Sequence, residues 1–173
     1  MATLNGAPFV SIFLSLITWA LLLALPTAAL AHDSDRNTAS QTSAAKVQTP
    51  WGIAADAHAK ARTIRVVMSD AMRFTPDRFT VRQGETIRLV VQNAGQMLHE
   101  LVLGTREALD AHAAMMVQFP DMAHDEPYMA HVPAGQTRTL RWTFNQAGAF
   151  EFACLIAGHY QAGMTGGIVV VAR

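Results

Sequence analysis

One cysteine, Cys154, is all that the 173-residue sequence contains. No internal disulfide is open to it, so a fold stapled by bridges is excluded. An excess of either charge is missing as well: thirteen lysines and arginines balance thirteen aspartates and glutamates. The chain therefore has neither the basic footprint of a nucleic-acid binder nor an acidic tail, and electrostatics names no partner. No internal repeat is visible. The length suffices for one domain of ordinary size with a real core.

Charge is absent altogether before Asp33. An apolar run from Phe9 to Leu25 ends at Pro26, and Ala29 and Ala31 stand as an A-x-A cleavage signal. This predicts a signal peptide over residues 1–31 and export to the periplasm. The alternative is an uncleaved segment long enough to span a bilayer, the one condition under which the chain would contact a membrane. Cleavage after Ala31 would expose His32, whose amine and imidazole offer a metal chelate, but with little preorganisation on a flexible tether. In an exported chain a lone cysteine has three readings: an intermolecular bridge, an inert buried thiol, or a thiolate bound to metal.

Residues 32–61 are mostly Ala, Ser, Thr, Gln and Asp without an apolar period, which predicts a flexible tether. From Arg62 the texture changes. TIRVVMSD, RFTVR, ETIRLVVQN, HELVLG, QTRTLRWTF, AFEFAC and TGGIVVVA are short runs rich in β-branched and aromatic residues, separated by turn residues. Leu140, Trp142 and Phe144 alternate with Thr139, Arg141 and Thr143, the period of a half-buried strand. One stretch, REALDAHAAMMVQF, has a helical period instead, with Leu109, Ala113, Met116 and Val117 on one face. The expectation is an all-β Greek-key sandwich or barrel over residues 62–173, with a short helical insert containing Met and His.

The end of the chain carries the chemistry. FACLIAGHYQAGM spaces Cys154, His159 and Met164 at four-residue gaps on one loop between two strands, with Gly158 and Gly163 to turn it. A thiolate and an imidazole are strong ligands, and a thioether is a weak one. His99, which opens the HELVLG run, is the best candidate for a second imidazole. Two His, one Cys and a distant Met form the donor set of an electron-transfer copper site. Against this stand plainer roles: an inert core cysteine, a packing methionine and a structural histidine.

Cys154-x4-His159-x4-Met164 with an upstream His99 resembles the cupredoxin, or type 1 copper, family. The longer patterns HELVLG and ACLIAGHYQAGM are similar to those of periplasmic cupredoxins of the plastocyanin/azurin type associated with bacterial copper resistance. The resemblance covers about residues 62–173. It implies His99, Cys154 and His159 as equatorial copper ligands and Met164 as the axial one. It also speaks against an enzyme. Copper oxidases and nitrite reductases of this kind carry histidines beside the cysteine that lead to a second centre, whereas Ala153 and Leu155 stand here; a two-copper entry centre would need a second cysteine.

Between Ala111 and His131 lie His112, Met115, Met116, Met122, His124, Met129 and His131. Thioethers and imidazoles at this density offer a further site for Cu(I); the alternative is that these methionines cover one end of the sandwich. Two functions are compatible with the whole: a copper-tolerance protein that binds, buffers or oxidises periplasmic copper, and a soluble electron carrier between respiratory partners. Either leaves the redox partner protein unidentified.

Overall fold

The computed structural model describes residues 46, 48–122 and 124–173. The leader expected over residues 1–31 and the first part of the expected tether lie outside the described residues. In chain order the elements are β1 (Gln48–Thr49), β2 (Gly52–Ala54), β3 (Arg62–Ser69), β4 (Arg73–Thr75), β5 (Arg78–Arg82), β6 (Glu85–Asn93) and β7 (His99–Gly104). They continue with α1 (Arg106–Gln118), β8 (Met129–Val132), β9 (Thr137–Phe144), β10 (Gly148–Ala153) and β11 (Thr165–Val171).

Two sheets pack face to face. One has the order β1-β2-β9-β6-β3-β4 and the other β5-β11-β10-β7-β8. β3 runs parallel to β6, and β5 to β11; the remaining pairs are antiparallel. The all-β sandwich expected from the sequence is what forms. Alternation supplies the core: Ile64, Val66 and Met68 of β3, Ile87, Leu89 and Val91 of β6, and Leu140, Trp142 and Phe144 of β9 all turn inward. Phe79, Phe152, Ile168 and Val170 meet them from the second sheet.

β7 departs from alternation, because all six of its residues are buried. A strand reads this way when both faces are covered. Leu101 and Leu103 enter the core between the sheets, while Val102 joins a smaller cluster with Leu109, Ala113 and Met116 of α1, and with Ala153 and Leu155. α1 begins at Thr105, whose hydroxyl accepts the Ala108 N–H at 3.2 Å. The expected helical insert is thus present, but Val117 is 56% exposed and does not belong to its buried face. Among the described residues, no helix is long and apolar enough to cross a membrane.

The tether expected over residues 32–61 is corrected from Gln48 onward. β1 and β2 add to the edge of the first sheet, where Ile53 and Ala54 pair with Thr143 and Trp142. Trp51 is buried, and its carbonyl accepts the Trp142 indole N–H at 2.9 Å. Gly52 makes this approach possible. Its φ is 130°, and a Cβ there would fall against the Thr143 carbonyl oxygen and the Trp142 indole nitrogen. Gly52→Ala should therefore destabilise the fold by about 1–3 kcal/mol, read as a lower midpoint in chemical denaturation. An unchanged midpoint would mean that this edge contributes nothing to the domain.

Candidate metal centre

The loop after β10 is closed by its own backbone. Cys154 N–H donates to the Met164 carbonyl at 3.1 Å, and Met164 N–H donates to the His159 carbonyl at 3.1 Å. Between these, the His159 N–H reaches Ile156 at 2.9 Å and the Gly163 N–H reaches Tyr160 at 2.9 Å. Gly158 and Gly163 hold φ of 92° and 86°, which lets the chain return within so few residues. Cys154 and Met164 are fully buried in the main core; His159 is half-buried at its edge.

His99 arrives from the next strand. It opens β7 on the inner face, and antiparallel pairing of β7 with β10 sets Val102 opposite Ala153, one residue before Cys154. The result is a triangle of donor atoms. His99 Nδ1 lies 3.2 Å from His159 Nδ1, His159 Nδ1 lies 3.3 Å from Cys154 Sγ, and Cys154 Sγ lies 4.0 Å from His99 Nδ1. A circle through these three points has a radius of about 2.1 Å, against ~2.0–2.3 Å for bonds of imidazole nitrogen and thiolate sulfur to a metal of this size. The residues present fit a trigonal copper site. Met164 lies on the same clasped loop and in the same core cluster as Cys154.

Two acidic residues complete the surroundings, and the sequence reading missed both. Asp70 follows β3, and its Oδ1 sits 3.0 Å from His99 Nε2. A carboxylate there accepts the Nε2–H hydrogen bond and leaves the Nδ1 lone pair facing the triangle. Asp70 is itself fixed by the Gln96 N–H at 2.7 Å and the Met97 N–H at 3.3 Å. Those backbone donors, Gln96 first, hold its carboxyl below the usual carboxylate range. Gly95 leaves room for the approach, since a Cβ would overlap the Asp70 carboxylate.

Glu100 is the second. Its backbone N–H points at Cys154 Sγ from 3.4 Å, and its Oε1 accepts the Leu155 N–H at 2.8 Å. On β8 its cross-strand partner is His131, whose Nε2 is 2.9 Å from Glu100 Oε2; His124 Nε2 is 3.7 Å away. Of the segment read as a Met/His cluster, the structure gathers the histidines. The rings of His112, His124 and His131 stand edge to face at 4.9 and 5.0 Å. Met116 and Met129 are buried in the cluster beneath α1, Met122 is half-buried against it, and Met115 is exposed. Glu100, His124 and His131 bring one donor atom each within 4.8 Å of one another, a second group of metal-ligand type.

Burial pushes the Cys154 thiol up to about 12, against the opposing effect of the Glu100 N–H. Burial, then the neighbouring His99, lowers His159 from the ordinary imidazole value, which favours the neutral ring that can donate a lone pair.

A family model described as copper binding proteins, plastocyanin/azurin family, matches residues 61–171. Two similar proteins share the name copper-resistant cuproprotein CopI. The one from Rubrivivax gelatinosus is 49% identical over 140 residues, covering 81% of this chain and 77% of its own. The one from Pseudomonas aeruginosa is 34% identical over 149 residues, covering 69% and 82%. Among solved structures, a reduced auracyanin from Roseiflexus castenholzii superposes with a TM-score of 0.56 at 21% identity, covering 65% of this chain and 99% of that one, a likeness of fold.

Two outcomes follow from the geometry. Asp70→Ala should lower copper affinity by roughly 10–100-fold, measured by competition with a chelator, while the visible copper–thiolate band remains. The thiol gives the second. Its value rises from 9.0 in the open chain to about 12 in the fold, so between these the unfolded chain binds fewer protons. Stability of the copper-free protein should then fall as pH rises through that window. Denaturation of Cys154→Ala in parallel checks it, because that variant should lose less stability over the same range.

Proposed function

Because the chain belongs to the plastocyanin/azurin family of copper-binding proteins, we propose that it is a periplasmic copper-tolerance protein holding copper at His99, Cys154, His159 and Met164. Bound copper supplies one-electron chemistry, alternating between Cu(I) and Cu(II). The protein's contribution is a fixed frame. Asp70 orients His99, the clasped loop fixes Cys154 against Met164, and burial of the sulfur keeps water from it. Thiolate and thioether suit the reduced ion, and imidazole suits both, so little has to move when the charge changes. Ala153 and Leu155 occupy the positions flanking the cysteine and bring no ligand to a coupled catalytic centre, which supports a binding role over catalysis.

One observation favours tolerance over plain electron carriage: the group of Glu100, His124 and His131 beside the first site. An electron carrier needs a single centre, whereas a protein that handles copper as cargo gains from a second place to hold it. The cavity there, of about 610 Å³, is also lined by the half-buried Met122, so a thioether stands near the imidazoles and donors for both oxidation states are at hand. The two similar proteins named copper-resistant cuproproteins support the same reading.

The test combines spectra and growth. Absorption and EPR spectra of the Cu(II)-loaded protein should show an intense copper–thiolate band that Cys154→Ala abolishes. A strain lacking this chain should be sensitive to excess copper. Wild type should restore growth, Cys154→Ala should not, and His124→Ala with His131→Ala should restore it only partly. A respiratory defect without copper sensitivity would favour the electron-carrier reading, and absence of the band would remove both.

A further inference from the structure

Glu100 presents three polar groups in three directions, and each meets a different part of the molecule. Its N–H faces Cys154 Sγ, its Oε1 holds the Leu155 N–H, and its Oε2 faces His131 and His124. The side chain is 1% exposed, so water does not compete for either oxygen. Opposite Oε2, the Nε2 atom of His124 is buried without a hydrogen-bond partner, and the ring of His112 stands edge to face with that of His124 at 4.9 Å. Buried polar atoms left unpaired are costly, and imidazoles set around one carboxylate can offer their lone pairs to an ion.

We propose that Glu100 is a positioning residue coupling the two sites, such that an ion held by its Oε2 with His124 and His131 alters the bond between copper and Cys154. The proposal rests on the reading of Cys154 as a copper ligand. A carboxylate shares one charge between its oxygens. An ion on Oε2 draws that charge toward itself and weakens Oε1 as acceptor for the Leu155 N–H. Leu155 follows Cys154 directly, and the N–H donated to the sulfur belongs to Glu100 itself, so any shift of this residue reaches the thiolate from two sides. Hydrogen bonding around the cysteine sulfur is one of the determinants of potential in such centres. Positive charge arriving at Oε2 also favours the reduced ion, so the potential should rise. Linkage makes the effect mutual: copper at the thiolate must change affinity at the second site by the same factor.

Zinc(II) is a redox-silent probe suited to imidazole and carboxylate donors. The full chain, with copper already in the thiolate centre, is titrated with zinc while copper and zinc content, the visible band and the midpoint potential are followed. In the reduced, diamagnetic form, ¹⁵N NMR follows the amides of Leu155 and Glu100. The expected result is one zinc taken up without loss of copper, a shifted band, a raised potential, and Leu155 and Glu100 amide shifts that saturate with that zinc. Glu100→Gln keeps an acceptor for Leu155, so its band should persist but no longer respond to zinc. Zinc that fails to bind, or binds without moving the band and the Leu155 amide, would overturn the coupling. So would a Glu100→Gln variant that binds zinc and responds as wild type does. If the variant takes up no zinc, the wild-type amide response decides alone. A wild-type protein without any copper–thiolate band is a separate failure, of the copper reading itself.

Discussion

The two-residue period of β7 is the constraint on which the rest of this end of the molecule depends. Side chains of successive strand residues point to opposite faces. His99, Leu101 and Leu103 therefore share the face toward the main core, where Cys154 and Met164 lie, while Glu100 and Val102 share the face toward α1. The adjacent residues His99 and Glu100 thus serve two different groups of donors. A slip of one residue would exchange them, turning a carboxylate toward the thiol and leaving an imidazole among imidazoles. Register is protected on both sides: β8 pairs four residues of β7, and β10 pairs three. Covering the second face with α1 is what allows every residue of β7 to be buried.

Preorganisation at the triangle carries a cost in the metal-free state. A thiol with little access to its anion is buried, and two ring nitrogens face each other at 3.2 Å. With the His99 Nε2 proton directed to Asp70, a proton on His159 Nδ1 can bridge to His99 Nδ1 until an ion takes its place. The surrounding backbone bonds hold this arrangement. Cys154 and Met164 clasp each other, and Asn93 fixes the approach to His99 through the carbonyls of Met97 and Val132 at 2.7 and 2.8 Å. Rigid neighbours keep donors in place that would otherwise relax apart, which is how affinity is gained without new contacts.

Much of this was legible in the sequence, and what was not has a common physical reason. Three of the four residues expected as ligands lie within eleven residues, so they could be read as a string, and the structure brings His99 to two of them. The sandwich followed from alternation in runs such as TLRWTF. Asp70 and Glu100 could not be read, because an acidic residue at a strand end looks solvated until register brings His99 or His131 against it. The strands at residues 48–54 were hidden for a similar reason: five strand residues in a polar stretch have no period of their own, and their place is set by Trp51 and Gly52 meeting Trp142. In the segment 111–131 composition suggested thioether and imidazole ligands together. The fold separates them in part, burying Met116 and Met129 as packing while the three histidines converge.

The two groups of donors differ in the ligand each is built around. Burial holds the Cys154 thiol up to about 12, so the copper proposed to bind its sulfur would release a proton, and binding would strengthen with pH. A softer set of donors that includes a thiol lies on one face of β7, and a set of imidazoles with a carboxylate lies on the other. With Glu100 reaching toward both, proximity of the two is a consequence of strand geometry, and their chemical difference is a consequence of which side chains that geometry buries.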